Sequence, residues 1–134
     1  MQGEIALAAD DPAAAESAFS KVEPEIHMSF EMSRPIVYAV PNNLSFRDGV
    51  ARARKARGDI AGAIEGYRQI LTVDTAQKWT AMLEPRYVLE LARLLDKQGD
   101  KAGARKEYQR FLDLLKHADP GLPEVAEARS RIGS

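Results

Sequence analysis

Apolar side chains from residue 43 onwards recur every three or four positions, the spacing that places them on one face of an α-helix. The pattern predicts helices over residues 43–57, 60–73 and 84–98, and a fourth whose apolar face starts at Ala104. Gly-Asp pairs separate the helices, at residues 58–59 and 99–100. Glycine can adopt the left-handed conformation that ends one helix, and aspartate can cap the next. We therefore expect two antiparallel helical hairpins.

Two segments that lie 41 residues apart are similar in sequence. Residues 57–71 and 98–112 are identical at seven of fifteen positions, where unrelated segments of this length would share about one. The shared residues expected to pack between helices are Ala63 and Ala104, which are small, and Tyr67 and Tyr108, which are aromatic. The small residues would let the helix axes approach closely, and the aromatic residues would fill the gap one turn later. This self-similarity predicts a helical repeat protein.

A weaker copy of the same pattern opens the chain. Asp10 stands in the place of the turn glycine, Ala15 in that of the small residue and Phe19 in that of the aromatic residue. Little chain remains for the first helix of this unit, so we expect the sequence to be a piece of a larger protein. Ile5 and Leu7 would then lack a covering neighbour, and a homodimer through this unit becomes an expectation.

The C-terminal segment predicts a short last helix. A Pro- and Gly-containing break over residues 118–123 ends the preceding helix. Val125, Ala128 and Ile132 then share one side of a helix over residues 123–132. Such a helix is typical of the capping element that a terminal repeat needs.

These features resemble the tetratricopeptide repeat, a helix-turn-helix unit of about 34 residues. The residues at the family's small, alanine and aromatic positions are Ala51, Ala92, Ala63, Ala104, Tyr67 and Tyr108. The departures are Arg47 and Val88 at the early aromatic, Thr75 and Lys116 at the closing proline, and a longer spacing. The resemblance implies an all-α fold of antiparallel helix pairs, stacked as a short right-handed superhelix with a C-terminal capping helix. The C-terminal pattern also resembles the repeat tails of larger bacterial proteins, which implies a bacterial accessory domain.

The 134 residues are expected to form one domain. Its parts are a partial first repeat at 1–23, an irregular connection at 24–42, a second repeat at 43–74, a third at 84–117 and a capping helix at 122–132. The irregular connection is either a linker that tucks between units or an apolar segment that contributes to a binding site. Trp79, between the second and third repeats, is either buried over helix ends or an exposed interface anchor.

Composition narrows the function classes. The 19 basic and 20 acidic residues nearly cancel, which argues against nucleic acid as the main ligand. The absence of cysteine excludes thiolate chemistry and cysteine-ligated zinc. His27 and His117 lie 90 residues apart without metal-ligand spacing. We expect a soluble protein without membrane insertion, most simply cytoplasmic, that is not an enzyme and binds no cofactor or metal.

Candidate binding residues follow from the tetratricopeptide resemblance, in which the first helix of each unit lines a groove. Residues expected there are Asp48, Arg52, Lys55, Arg86, Leu89, Arg93 and Lys97. The arginines could hold an acidic or carboxylate-ended peptide, with Leu89 as an apolar floor. The alternative is that these charges are merely solvated, with Glu90 and Asp96 neutralising their neighbours.

The predicted function is therefore that of a protein-interaction scaffold whose partner is a protein or peptide. The rival hypothesis is a regulatory accessory domain of an enzyme or signalling protein, which binds its own parent chain or a small ligand. Nothing in the sequence names the partner.

Overall fold

The computed structural model describes residues 2–21, 48–72, 84–118 and 121–133, and every regular element within these ranges is an α-helix. The helices are α1 (Gln2–Ala8), α2 (Pro12–Ser20), α3 (Gly49–Ala56), α4 (Ile60–Leu71), α5 (Glu84–Gln98), α6 (Lys101–Leu114) and α7 (Pro123–Gly133). The prediction of an all-α fold is confirmed. No helix in this described part of the chain is both long and apolar enough to cross a membrane.

Most helix ends lie where the apolar pattern predicts them. The predicted helix at 84–98 matches α5 at both ends, and α4 ends two residues before its predicted end. The predicted start at residue 43 is wrong for α3, because Asp48 is the N-cap and the helix begins at Gly49. Some predictions fall outside the described residues, namely the connection at 24–42, His27 and Trp79. The right-handed superhelix stays a prediction.

Three tight turns, after α1, α3 and α5, share one backbone conformation. Each has a residue with positive φ, which is 57° at Asp10, 85° at Gly58 and 95° at Gly99. An aspartate follows, and its backbone N–H returns to a carbonyl of the helix that has just ended, at 2.9 to 3.0 Å. Its carboxylate caps the next helix through a 2.9 Å bond from a backbone N–H, and the three capping aspartates are Asp11, Asp59 and Asp100. Each turn thus satisfies polar groups at both helix ends.

The helices pack in chain order, each on the next, and α1 also contacts α3. One buried cluster joins α3 to α7 and includes Tyr67, Tyr87 and Tyr108. A smaller cluster holds Phe19 and Ala53 with other residues of α1 to α3. The four residues expected to pack between helices are all buried, namely Ala63, Ala104, Tyr67 and Tyr108. Leu91 is buried as well, and Leu112 lies half-buried at the edge of the larger cluster.

Phe19 fixes the distance between α1 and α3. Its ring lies against Gly3 of α1 and Gly49 of α3, and a Cβ on either glycine would come within 2.7 Å or 2.4 Å of a ring carbon. Both glycines are therefore required by space, because a larger residue would collide with a rigid aromatic ring. In the same region Ile5 is 63% exposed, whereas Leu7 is partly buried against the smaller cluster.

Candidate interaction surface

A buried carboxylate lies at the start of α3. Asp48 is 1% exposed and accepts three side-chain hydrogen bonds. Oδ1 accepts from Nε of Arg52 at 3.1 Å, while Oδ2 accepts from the hydroxyl of Tyr67 at 3.2 Å and from Nη2 of Arg86 at 3.3 Å. The expectation that Asp48 faces an open groove is wrong. A carboxylate this buried needs such partners, because desolvation of an unpaired charge is very costly.

Arg52 connects this carboxylate to the first helix. Its guanidinium binds both carboxylate oxygens of Glu4 on α1, with Nη1 to Oε2 at 3.1 Å. It also lies over the ring of Phe19, 5.5 Å from the centroid, a cation–π geometry. The hydrogen bond from Arg52 is the main reason that the pKa of Glu4 is lowered. Arg52 is thus a link between α1, α2 and α3.

A second group of charges joins α3, α5 and α7. Glu90 accepts from Nζ of Lys55 at 2.7 Å and from Nη1 of Arg93 at 2.6 Å. Arg93 also forms a two-point contact with Glu127, in which Nε and Oε1 are 2.9 Å apart. Burial alone would raise the pKa of Glu90, but the hydrogen bonds from Lys55 and Arg93 outweigh it and the pKa is lowered. The hydrogen bond from Arg93 likewise lowers the pKa of Glu127.

Together these residues form a charge strip across the first helix of each hairpin and the last helix. We define the charge strip as Glu4, Asp48, Arg52, Lys55, Arg86, Glu90, Arg93 and Glu127. Positive and negative groups alternate in it. The side chain of Arg86 is 49% exposed and that of Arg93 is 38% exposed, so solvent and ligands can reach both.

Five of the seven predicted groove residues belong to the charge strip, namely Asp48, Arg52, Lys55, Arg86 and Arg93. Lys97 is exposed in the last turn of α5 and makes no ion pair with the residues that the structure describes. Leu89 does not form an apolar floor, because it is 4% exposed and packs in the larger cluster. The reason is that α5 contacts both α4 and α6, which leaves only a narrow stripe of α5 for solvent.

Sequence reasoning missed half of the carboxylates in the charge strip. It anticipated the bond between Glu90 and Arg93, since these residues are three apart on one helix. Glu4 and Glu127 come from α1 and α7, far along the chain from Arg52 and Arg93. No local spacing signals such pairs. The predicted open, cationic groove is therefore a surface in which most cations already have a carboxylate partner.

The chemistry available at this surface is recognition by charge and hydrogen bonding. Within the described ranges, no group of three or more His, Asp or Glu side chains could hold a metal ion. His117 lies exposed in the turn after α6. No protein-family model matches the chain, and a search of curated proteins finds no match either. The tetratricopeptide resemblance thus continues to rest on the residues quoted for it.

Proposed function

We propose that this protein is a non-catalytic interaction module of the tetratricopeptide type, which binds an acidic or carboxylate-ended peptide along the charge strip. The observation that carries the proposal is the stripe of exposed cations on α5. Arg93 and Lys97 lie seven and eleven residues after Arg86, spacings that return to the same face of a helix. Their Cα atoms span about 16 Å, the length of some five extended residues.

Preorganised side chains support this proposal. Arg93 is fixed by Glu90 and Glu127, and Arg86 is oriented by Asp48, so a ligand would not have to immobilise these long side chains. Ordering a side chain of this kind costs about 0.5 to 1.5 kcal/mol on association. An arginine with one carboxylate partner still has N–H donors for another, because guanidinium carries five.

The intramolecular pairs also set the expected selectivity. A highly acidic peptide would face Glu90 and Glu127 as well as the cations, whereas one or two carboxylates spaced to meet Arg86 and Lys97 would avoid them. Lys97 is the predicted groove cation with no ion pair among the described residues, so it is the natural contact for a terminal carboxylate. We expect weak binding that falls with added salt, because the contacts are partly exposed.

The test is a peptide array in which each acidic sequence carries either a free or an amidated C-terminus, followed by titration of the best peptides. The strip variant is Arg86→Gln with Lys97→Gln. The control variant is Arg68→Gln with Lys106→Gln, which removes the same charge from exposed positions of α4 and α6. Binding should weaken about tenfold or more in the strip variant and stay unchanged in the control. Equal affinity of the two variants would refute the proposed site.

A further inference from the structure

A cavity lined by residues outside the charge strip lies between the end of α5 and helices α6 and α7. Its volume is about 560 Å³, within the range of small-molecule sites. Its lining residues are Asp96, Lys101, Ala102, Ala104, Arg105, Tyr108 and Arg131. Three of these are cations and one is an anion, so the walls are strongly basic in a chain that is otherwise nearly neutral.

The single carboxylate that lines the cavity already forms ion pairs with two of the cations. Asp96 pairs through Oδ1 with Nζ of Lys101 at 2.6 Å and through Oδ2 with Nη1 of Arg131 at 3.1 Å. This arrangement holds an ammonium and a guanidinium beside each other. Arg105 is exposed, one turn after Lys101 on the same face of α6, and makes no ion pair with the described residues. Like charges at this spacing destabilise a helix, and an anion between them would remove that repulsion.

The hydroxyl of Tyr108 adds a second feature to the cavity. Tyr108 is 2% exposed and forms part of the cavity wall. Its repeat counterpart Tyr67 donates to Asp48, but the residue 41 positions after Asp48 is Leu89, which has no acceptor. Among the described residues the hydroxyl of Tyr108 has no hydrogen-bond partner. The hydroxyl oxygen is not itself buried, so it is open to solvent at the cavity and can donate to an acceptor oxygen bound there.

We propose that this cavity binds a phosphate group, held by Lys101, Arg105 and Arg131 and accepting a hydrogen bond from Tyr108. A phosphate monoester carries nearly two negative charges at neutral pH and three acceptor oxygens, which match several donors better than a carboxylate does. None of these four residues belongs to the charge strip, so failure of the phosphate site would leave the proposed peptide site untouched.

The experiment follows amide chemical shifts in two-dimensional NMR spectra of the whole chain. The probes are inorganic phosphate, phenyl phosphate and a phosphoserine peptide, each compared with acetate at equal ionic strength. We expect saturable shifts around the cavity with at least one phosphate probe and weaker effects with acetate. Tightest binding of phenyl phosphate would identify a small phosphate monoester as the ligand, and tightest binding of the peptide would identify a phosphorylated protein.

Variants distinguish a specific phosphate site from nonspecific attraction of phosphate to a basic surface. Lys101→Gln with Arg105→Gln should weaken phosphate binding about tenfold or more, and Tyr108→Phe should weaken it by a smaller factor. Lys106→Gln, at an exposed position of the same helix outside the cavity lining, is the control and should bind like wild type. The proposal is overturned if no phosphate probe gives saturable shifts, or if the Lys101 and Arg105 variant binds as tightly as the Lys106 variant.

Discussion

The hydroxyl of Tyr67 donates a hydrogen bond to Oδ2 of Asp48, 3.2 Å away, and both side chains are almost fully buried. This bond connects the core-facing aromatic residue of one hairpin to the carboxylate that organises Arg52 and Arg86 at the surface. Burial, reinforced by the negative charge of Asp48, raises the pKa of Tyr67, so the tyrosine stays a neutral donor. The packing of α3 with α4 and the geometry of the charge strip are therefore coupled through one contact.

Removal of that carboxylate should destabilise the fold. Asp48→Ala leaves the Tyr67 hydroxyl buried without a partner and separates two cations from their shared anion. We expect a cost of about 2 to 4 kcal/mol, below the upper end for buried ion pairs because both arginines are partly exposed. Tyr67→Phe keeps the two arginine partners of Asp48 and should cost about 1 kcal/mol. Urea denaturation of both variants tests the order, and a Tyr67→Phe cost larger than that of Asp48→Ala would contradict it.

The turns could be predicted from the sequence more accurately than the contacts of the charge strip, for a physical reason. Turn chemistry is local, so the Gly-Asp pairs and even Asp10 could be placed from their neighbours alone. The burial of Leu89 depends on α5 being covered from two sides, and the Arg52 to Glu4 bond joins residues 48 positions apart. Such facts follow from tertiary packing. A helical projection shows which residues share a face, but not how much of that face a neighbouring helix covers.

The approach of α1 to α3 should be sensitive to a single methyl group. Gly49→Ala would bring a Cβ to 2.4 Å from Cδ1 of Phe19, so the ring or a helix must shift. We expect a loss of about 1 to 3 kcal/mol from overpacking, which exceeds the gain in helix propensity from replacing glycine. Gly133→Ala, where a Cβ meets nothing within 4 Å, is the control. Thermal denaturation showing Gly49→Ala as stable as the control would disprove this packing.

The turn residues should respond to substitution through backbone conformation alone. A Cβ at Gly99 would meet no atom within 4 Å, yet its φ of 95° is unfavourable for any residue with a side chain. Gly99→Ala should therefore cost about 1 to 2 kcal/mol. Asp10→Gly should have the opposite effect and stabilise the fold modestly, because Asp10 has a φ of 57°, a conformation that glycine adopts at lower cost. Chemical denaturation measures both, and a neutral Gly99→Ala would rule out a conformational requirement at this turn.

Acidification should lower the stability of the fold, because it protonates carboxylates of the charge strip. The pKa values of Glu4, Glu90 and Glu127 are all lowered from 4.5 in the folded state. A carboxylate of this kind stabilises the fold above its unfolded pKa, and the contribution is lost as the pH falls through the folded value. We expect a constant urea midpoint from about pH 7 to 5 and a decline from about pH 4.5 downward.

The variant Arg93→Gln serves as the comparison for the decline in the urea midpoint at low pH. It removes the hydrogen bonds to Glu90 and Glu127 that hold their pKa values down. The variant should be less stable at neutral pH and should lose less further stability on acidification, so the two curves should converge. Parallel curves for the variant and the wild type would show that Arg93 does not stabilise these carboxylates.

Binding of peptides along the charge strip can be tested by NMR mapping with a peptide selected from the array. Amide shifts should change on α3, α5 and α7, with the largest effects near Arg86, Arg93 and Lys97, and the changes should shrink when salt is added. Shifts confined to α4 and α6, the second helices of the two hairpins, or binding that salt leaves unaltered, would show that the peptide does not bind at the charge strip.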